Sequence, residues 1–259
     1  MSRAKLKHMA GNRQLKLGHF IVEFVTPGIG HILKAAGCDF VFLDMEHSGF
    51  SFETLKSAIR YFEAADVSVI VRVPSLENDM LARASDMGAE GLIAPMISTP
   101  EQARAMINSV KYFPEGNRGV GLGIAHDNYR NEPVTTALEN ANARTTVICL
   151  LETAEGAENA DAIAAIPGVD CIWVGHFDLS MSLGIPGQFD HPKFEIAMNK
   201  IIAAAKKHGK SLGRLVGNTD QGIQFHKQGF DFICYSGDVW VLRDALSAAM
   251  KTLREGCKS

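Results

Sequence analysis

Four stretches share one plan: KAAGCDFVFLDMEH (34–47), ASDMGAEGLIAPM (84–96), AIPGVDCIWVGHFD (165–178) and HKQGFDFICYSGD (226–238). In each, a helical or turn segment ends at Gly, one residue intervenes, an Asp or Glu follows, and a short run of β-branched and aromatic residues comes next. Gly suits the position just past a helix, where the left-handed backbone would push a Cβ into a carbonyl. The runs are apolar on successive residues rather than alternate ones, as in a strand buried on both faces. Between them lie amphipathic stretches of helical length: 51–65, 76–88 and 99–113. The last opens Thr99-Pro100-Glu101, with an N-cap residue, Pro at the first helical position and an acid in the first turn. Further strand candidates are SVIVRVP (68–74), TTVICLLET (145–153), KSLGRLV (210–216) and HFIVEFV (19–25). Buried strands alternating with helices predict right-handed βαβ units that close into an α/β (β/α)8 TIM barrel, one domain over 1–259. A doubly wound open sheet is the structural alternative.

The 259 residues, 46% hydrophobic and 21% charged, suffice for one large core. A net charge of −3 gives no basic excess to hold a phosphate backbone, so no nucleic-acid partner is expected. No apolar run approaches the roughly 20 residues of a membrane helix. The basic start, MSRAKLKHMAGNRQLKLGHF, lacks the apolar core of a secretory signal. Cys38, Cys149, Cys171, Cys234 and Cys257 are dispersed, without a C-x-x-C pair, and read as reduced thiols of a cytoplasmic protein. The stretch 114–144 is long for a loop, which points to function or an interface. Its GNRGVGLG (116–123) follows a helix and lacks the Lys-Ser/Thr of a nucleotide loop.

In a barrel the active site forms where the strands end. Here those ends carry Asp44, Glu46 and His47, then Arg72, then Glu152, then His176 and Asp178, and finally Asp238. Two carboxylates, Glu152 and Asp178, are ligand enough for a hard cation that also keeps waters or substrate oxygens. Zinc would want more nitrogen or sulfur. Arg72 has the fork that grips a carboxylate, and His47 can carry a proton near neutral pH with Asp44 holding its ring. Each residue also has a structural reading: Glu152 and Asp178 as helix caps, Glu46 and Asp238 as surface acids, and His47, His126, His176 and His191 as ordinary histidines. Their concentration at corresponding strand ends favours chemistry, because capping does not require it.

The segments FVFLDMEHSG (40–49), 69–103, YFPEGNRGVG (112–121) and 148–187, with LD-x-EH, VRVP, RGVG, ET-x-x-G and DLS-x-SLG in order, resemble the HpcH/HpaI family of class II 2-keto-3-deoxy acid aldolases. The resemblance implies a TIM barrel whose C-terminal helix is swapped between subunits of a homo-trimer or homo-hexamer. It implies a divalent metal ion, Mg, Mn or Co, on Glu152 and Asp178. It further implies retro-aldol cleavage of a 4-hydroxy-2-keto acid to pyruvate, or a related 2-keto acid, plus an aldehyde, through a metal-stabilised enolate, as in aromatic-compound or sugar-acid catabolism. Arg72 would stabilise the enolate, His47 with Asp44 would be the acid/base dyad, and groups at Gly175, His176, Phe177 and Asp178 would contact substrate. No Lys stands at an expected strand end, which disfavours Schiff-base chemistry. Three positions depart from the family pattern. Leu150 stands where Gln is usual, and His176-Phe177 where Pro-Ala is usual. An oxaloacetate-type decarboxylase or other enolate chemistry is the alternative activity, separable by CO2 rather than aldehyde release. A non-catalytic metabolite-binding protein is a third reading, against which the intact dyad stands.

Overall fold

The computed structural model describes residues 5–257. In chain order it runs α1 (Lys5–Asn12), β1 (Lys16–Ile21), α2 (Ile29–Ala35), β2 (Phe40–Asp44), α3 (Phe52–Ala64), β3 (Ser68–Arg72), α4 (Asn78–Asp86), β4 (Gly91–Ala94) and α5 (Pro100–Val110). It continues with α6 (Val134–Arg144), β5 (Thr146–Leu151), α7 (Ala154–Glu158), α8 (Ala160–Ala164), β6 (Cys171–Val174), α9 (His176–Ser182), α10 (Pro192–Lys207), β7 (Ser211–Val216), α11 (Thr219–Lys227), β8 (Phe232–Gly237) and α12 (Asp238–Gly256). All eight strands are parallel and close in sequence order, β1 pairing with β8. The closed barrel, rather than the open sheet, is therefore the fold.

The repeated motif acquires a physical meaning here. Its four acids, Asp39, Glu90, Asp170 and Asp231, stand immediately before the even-numbered strands, and each bonds to the start of the odd strand preceding it. Asp39 accepts from Leu17 N–H (2.9 Å), Glu90 from the Ser68 hydroxyl (3.3 Å), Asp170 from Val147 N–H (2.8 Å) and Asp231 from Leu212 N–H (2.7 Å). The motif is thus a strand-pairing clasp used four times around one rim. Helix α1 covers that rim: Leu6 and Ala10 are buried with the barrel's inner side chains, and Lys7 pairs with Asp170 at 2.6 Å.

Side chains alternate between two cores, as strand geometry requires. Phe40 and Phe42 of β2 face the barrel interior with Ile70, Ile148 and Trp173, whereas Val41 and Leu43 face the helices. Gly213 is obligatory on β7 because a Cβ there would overlap the Trp173 ring. Around the outside, α3 begins on Ser51, whose hydroxyl accepts from Thr54 N–H, and α5 begins on Thr99 with Gln102 completing a capping box.

Two sequence expectations need adjustment. β1 starts at Lys16 and stops at Ile21 instead of covering 19–25. The next amides, of Val22, Glu23 and Phe24, donate to the Asp238 carboxylate (3.2, 3.0 and 2.7 Å), so they leave the ladder. The stretch 114–144 is not a loop throughout, since it holds a short 3-10 turn (Ala125–Asp127) and all of α6. The five cysteines form no disulfide. Among the described residues, no helix is long and apolar enough to cross a membrane.

Candidate active site

The strand ends surround a cavity of about 400 Å3, lined on one side by Asp44, His47, Arg72, Glu152 and Asp178. Asp44 and Arg72 are register partners on β2 and β3. That placement lets the guanidinium grip the carboxylate in two bonds, Nε and Nη2 each at 2.7 Å. Asp44 is fully buried and also accepts from the backbone N–H groups of Glu46 (3.0 Å) and His47 (3.3 Å). The third guanidinium nitrogen, Nη1, lies 3.0 Å from Glu46. Burial works to lower the Arg72 pKa, but Asp44 and Glu46 outweigh it and hold the guanidinium charged. For Glu46 burial prevails over Arg72 and His47, so its carboxyl is raised above the usual range.

This geometry refines two sequence expectations. Asp44 fixes the backbone of His47, while the His47 ring, largely exposed, lies 3.7 Å from Glu46. The Arg72 fork is occupied by Asp44, leaving Nη1 as its outward edge.

Glu152 follows β5 and is 3% exposed. One oxygen accepts from Met96 N–H at 2.7 Å. Met96 sits just past β4 with φ of 58°, a conformation uncommon for a residue with a side chain and of the kind stored at functional sites. The other oxygen faces Gly175, where a Cβ would collide with it. Burial pushes the Glu152 pKa up to about 7; Met96 N–H opposes this, while Asp178 and Glu46 add to it. Asp178 lies in the first turn of α9 and is exposed. Neither acid is a cap. Thr153 caps α7 and Gly175 precedes α9.

His176 lines the cavity with its ring 4.5 Å from Phe177 and 5.2 Å from Phe189. Burial, with the Arg214 charge adding, lowers its pKa to about 4, so it is a neutral imidazole near pH 7. His126 and His191 are structural: the first is buried against the Gly121 carbonyl (2.6 Å) and the second caps α10. Asp238, read from sequence as a possible surface acid, ties the β1 end to the start of α12.

The sequence pattern of the HpcH/HpaI aldolase/citrate lyase family matches residues 22–245, most of the chain, including every strand end just described. The chain belongs to this family. It is 32% identical to the 5-keto-4-deoxy-D-glucarate aldolase of Klebsiella pneumoniae, covering 93% of each chain. It is 32% identical to the hydroxypyruvate/pyruvate aldolase of Chromohalobacter salexigens, over 89% of each. In structure it resembles the HpcH/HpaI aldolase from Desulfitobacterium hafniense, with a TM-score of 0.91, 29% identity and 96% of each chain covered. The chain is accordingly an aldolase-type carbon–carbon lyase acting on small molecules.

One part of this HpcH/HpaI site was invisible in the sequence. Beside the charged groups, Trp240 of α12 stacks on Phe20 (5.8 Å, 3° between planes), Phe20 meets Phe42 (5.2 Å), and Phe42 meets Trp173 (5.1 Å), with the Arg72 guanidinium over the Phe20 and Phe42 rings. Leu150 and Leu215 fill out the same wall. These residues come from β1, β2, β5, β6, β7 and α12, so no local motif gathers them. The position of Trp240 two residues beyond Asp238, itself at a strand end, was the available signal.

Proposed function

We propose that this lyase cleaves a 4-hydroxy-2-keto acid into pyruvate, or a closely related 2-keto acid, and an aldehyde, with a divalent cation (Mg, Mn or Co) held by Glu152 and Asp178. The observation that carries the reading is Glu152: a carboxylate 3% exposed, pinned through one oxygen by Met96 N–H, and without a cationic side chain at bonding distance among the described residues. Uncompensated burial of that kind is costly unless a cation arrives. The donor set fits a hard cation, with oxygen ligands from two carboxylates and room in the cavity for substrate oxygens. Such a cation supplies positive charge beside the keto oxygen as enolate character develops.

The residues of the chain have distinct tasks in this reading. Arg72, held by Asp44, presents its Nη1 edge and its charge to the developing oxyanion, and needs no reorganisation to do so. His47, anchored through its backbone to Asp44 with an exposed ring, takes the proton of the C4 hydroxyl. The C3–C4 bond then breaks, C4 leaves as the aldehyde, and C3 receives a proton to become the methyl group of pyruvate. His176, as a neutral imidazole, and the amides of Phe177 and Asp178 in the first turn of α9 hold the substrate carboxylate, while Gly175, whose N–H donates to the Leu151 carbonyl (3.2 Å), lets that turn approach Glu152. The chain is read as one barrel domain, cytoplasmic, in a trimer or hexamer that exchanges α12. In support, α12 leaves Leu242, Leu246, Met250 and Leu253 exposed in the isolated chain.

The test is deuterium exchange of pyruvate methyl protons in D2O, with Mn or Mg and then with EDTA. Cation-dependent exchange, lost in Glu152→Ala and Asp178→Ala, is the expected result. Absence of exchange with every cation tried would remove the pyruvate reading. Release of CO2 from oxaloacetate without aldehyde release from any aldol would replace it with decarboxylation.

A further inference from the structure

The cavity is divided between two chemistries. Its acids and its arginine come from the ends of β2, β3 and β5 and from α9, whereas the rest of its lining is dominated by the aromatic row Trp240–Phe20–Phe42–Trp173 with Leu150 and Leu215. The row starts under the Arg72 guanidinium (5.9 Å from the Phe20 ring, 5.7 Å from Phe42) and runs away from it to Trp240 and Trp173. Leu150 and Trp173 are 2% and 3% exposed, so this wall is built and not a chance grouping of surface side chains. A three-carbon keto acid held at Glu152 and Arg72 leaves most of the roughly 400 Å3 empty. Among the described residues that line it, Arg72 is the one arginine or lysine, and its fork is already committed to Asp44. A second carboxylate on the substrate would therefore share the cavity with Asp44, Glu152 and Asp178 and find no free cation among the described lining residues. It would also have to lose its water against aromatic carbon. A polyhydroxy chain fares little better, because the wall offers rings and methyls where each hydroxyl needs a partner.

Resting on the aldolase reading above, we propose that the aldehyde half of the substrate is apolar and uncharged. The preferred aldol is the adduct of a 2-keto acid with an aliphatic or aromatic aldehyde, whose hydrocarbon part lies on the Trp240–Phe20 wall. This separates the chain from a relative named for a glucarate-derived substrate, although the two belong to one family. The cleavage stays balanced within the substrate: the C3–C4 pair of electrons remains on C3, the hydroxyl proton leaves C4 as the aldehyde forms, and one proton returns to C3.

Two measurements test the inference, one of them independent of turnover. In the condensation direction, with pyruvate and Mn, benzaldehyde and hexanal are compared with succinic semialdehyde and glyceraldehyde. The apolar pair should lead in kcat/KM by about tenfold or more, the discrimination a hydrophobic pocket gives per group lost. Calorimetric titration compares 4-phenyl-2-oxobutyrate, which lacks only the hydroxyl of the benzaldehyde adduct, with 2-oxoheptanedioate, and the phenyl compound should bind at least about tenfold tighter. Leu215→Arg, which adds a cation to the half-buried end of the wall, should narrow or reverse both preferences. Pyruvate exchange together with equal or better use of succinic semialdehyde would overturn the inference and leave the aldolase reading intact. Loss of exchange with the binding preference preserved would overturn the aldolase reading and with it the assignment of an aldehyde half, leaving the cavity as a site for apolar 2-keto acids. Tighter binding of the dicarboxylate overturns the inference whatever the exchange result.

Discussion

At the rim where the strands begin, every motif acid is spent on structure. Asp231 accepts from Lys16 Nζ (2.6 Å), the Ser211 hydroxyl (2.6 Å) and Leu212 N–H (2.7 Å), and Asp170 takes Lys7 and Val147 N–H. At the rim where the strands end, the one guanidinium is gripped by Asp44, and Glu46 and Glu152 lie in its field. Asp178 adds to the negative charge around Glu152, and among the described residues Glu152 has a single amide for company. Both sets of acids sit next to strands, and residue type alone does not tell them apart. The difference teaches what each rim is for. Satisfied carboxylates hold strands in register, whereas under-satisfied ones store a charge imbalance that a cation and a keto acid relieve.

The comparison can be broken most sharply at Glu152. Glu152→Gln keeps an oxygen for Met96 N–H but removes the charge. Exchange of pyruvate protons should fall by about a thousandfold or more, with thermal stability equal to or above that of the parent. A loss of stability comparable to the loss of activity would mean that this rim is structural after all. Next in size is the opposite rim. Asp231→Ala strands the Lys16 ammonium, 2% exposed, and should cost about 3 kcal/mol in denaturant unfolding, leaving kcat of the folded fraction unchanged. Arg72→Lys keeps the charge but loses the two-bond grip on Asp44, and exchange should drop by about a hundredfold, with little change in the unfolding midpoint.

The smallest effect sharpens the contrast by its exception. Near the strand-start rim, Lys111 is 1% exposed, donates to the carbonyl of Thr145 at 2.8 Å and to that of Asn142, and has its nearest carboxylate, Glu115, 3.8 Å away. Burial lowers its pKa to about 8 from the ordinary 10.5. Between those values the unfolded chain holds more protons than the folded one, so this residue makes stability rise as pH climbs from about 8 to 10.5. Relative to Lys111→Met, the wild type should gain on the order of 1 kcal/mol across that window by chemical denaturation. A flat difference would show that the ammonium is fully compensated by its carbonyls.

Much of the architecture was legible because its signals are local. Gly-x-acid before each even strand, the Thr99-Pro100 start and the unbroken apolar runs need only a few neighbouring residues to be read. The acids and His47 at the strand ends were legible for the same reason once a barrel was assumed. Illegible were features that depend on residues distant in the chain. The early end of β1 is imposed by Asp238, more than two hundred positions away, and the direction of the Arg72 fork follows from a register with β2. The Trp240–Phe20 stack joins the two ends of the sequence. The helix α6 was missed because its start follows Pro133, which supplies no capping side chain, and its sequence is rich in Thr, Asn and Ala without a strong apolar stripe.

The Asp238 clasp on the amides of Val22, Glu23 and Phe24 also bears on how the molecule is made. The seam between β1 and β8 joins positions separated by 216 residues, so a nascent chain emerging from the ribosome carries an unclosed first strand through almost its whole synthesis. Until the last strand is released, Lys16 lacks its carboxylate, three amides lack their acceptor and one edge of β1 lacks its ladder. Loop closure over that distance is slow, and an open strand edge is where neighbouring chains pair wrongly. Emergence of Asp231, β8 and Asp238 is thus the step that seals the open edge of the sheet into a ring.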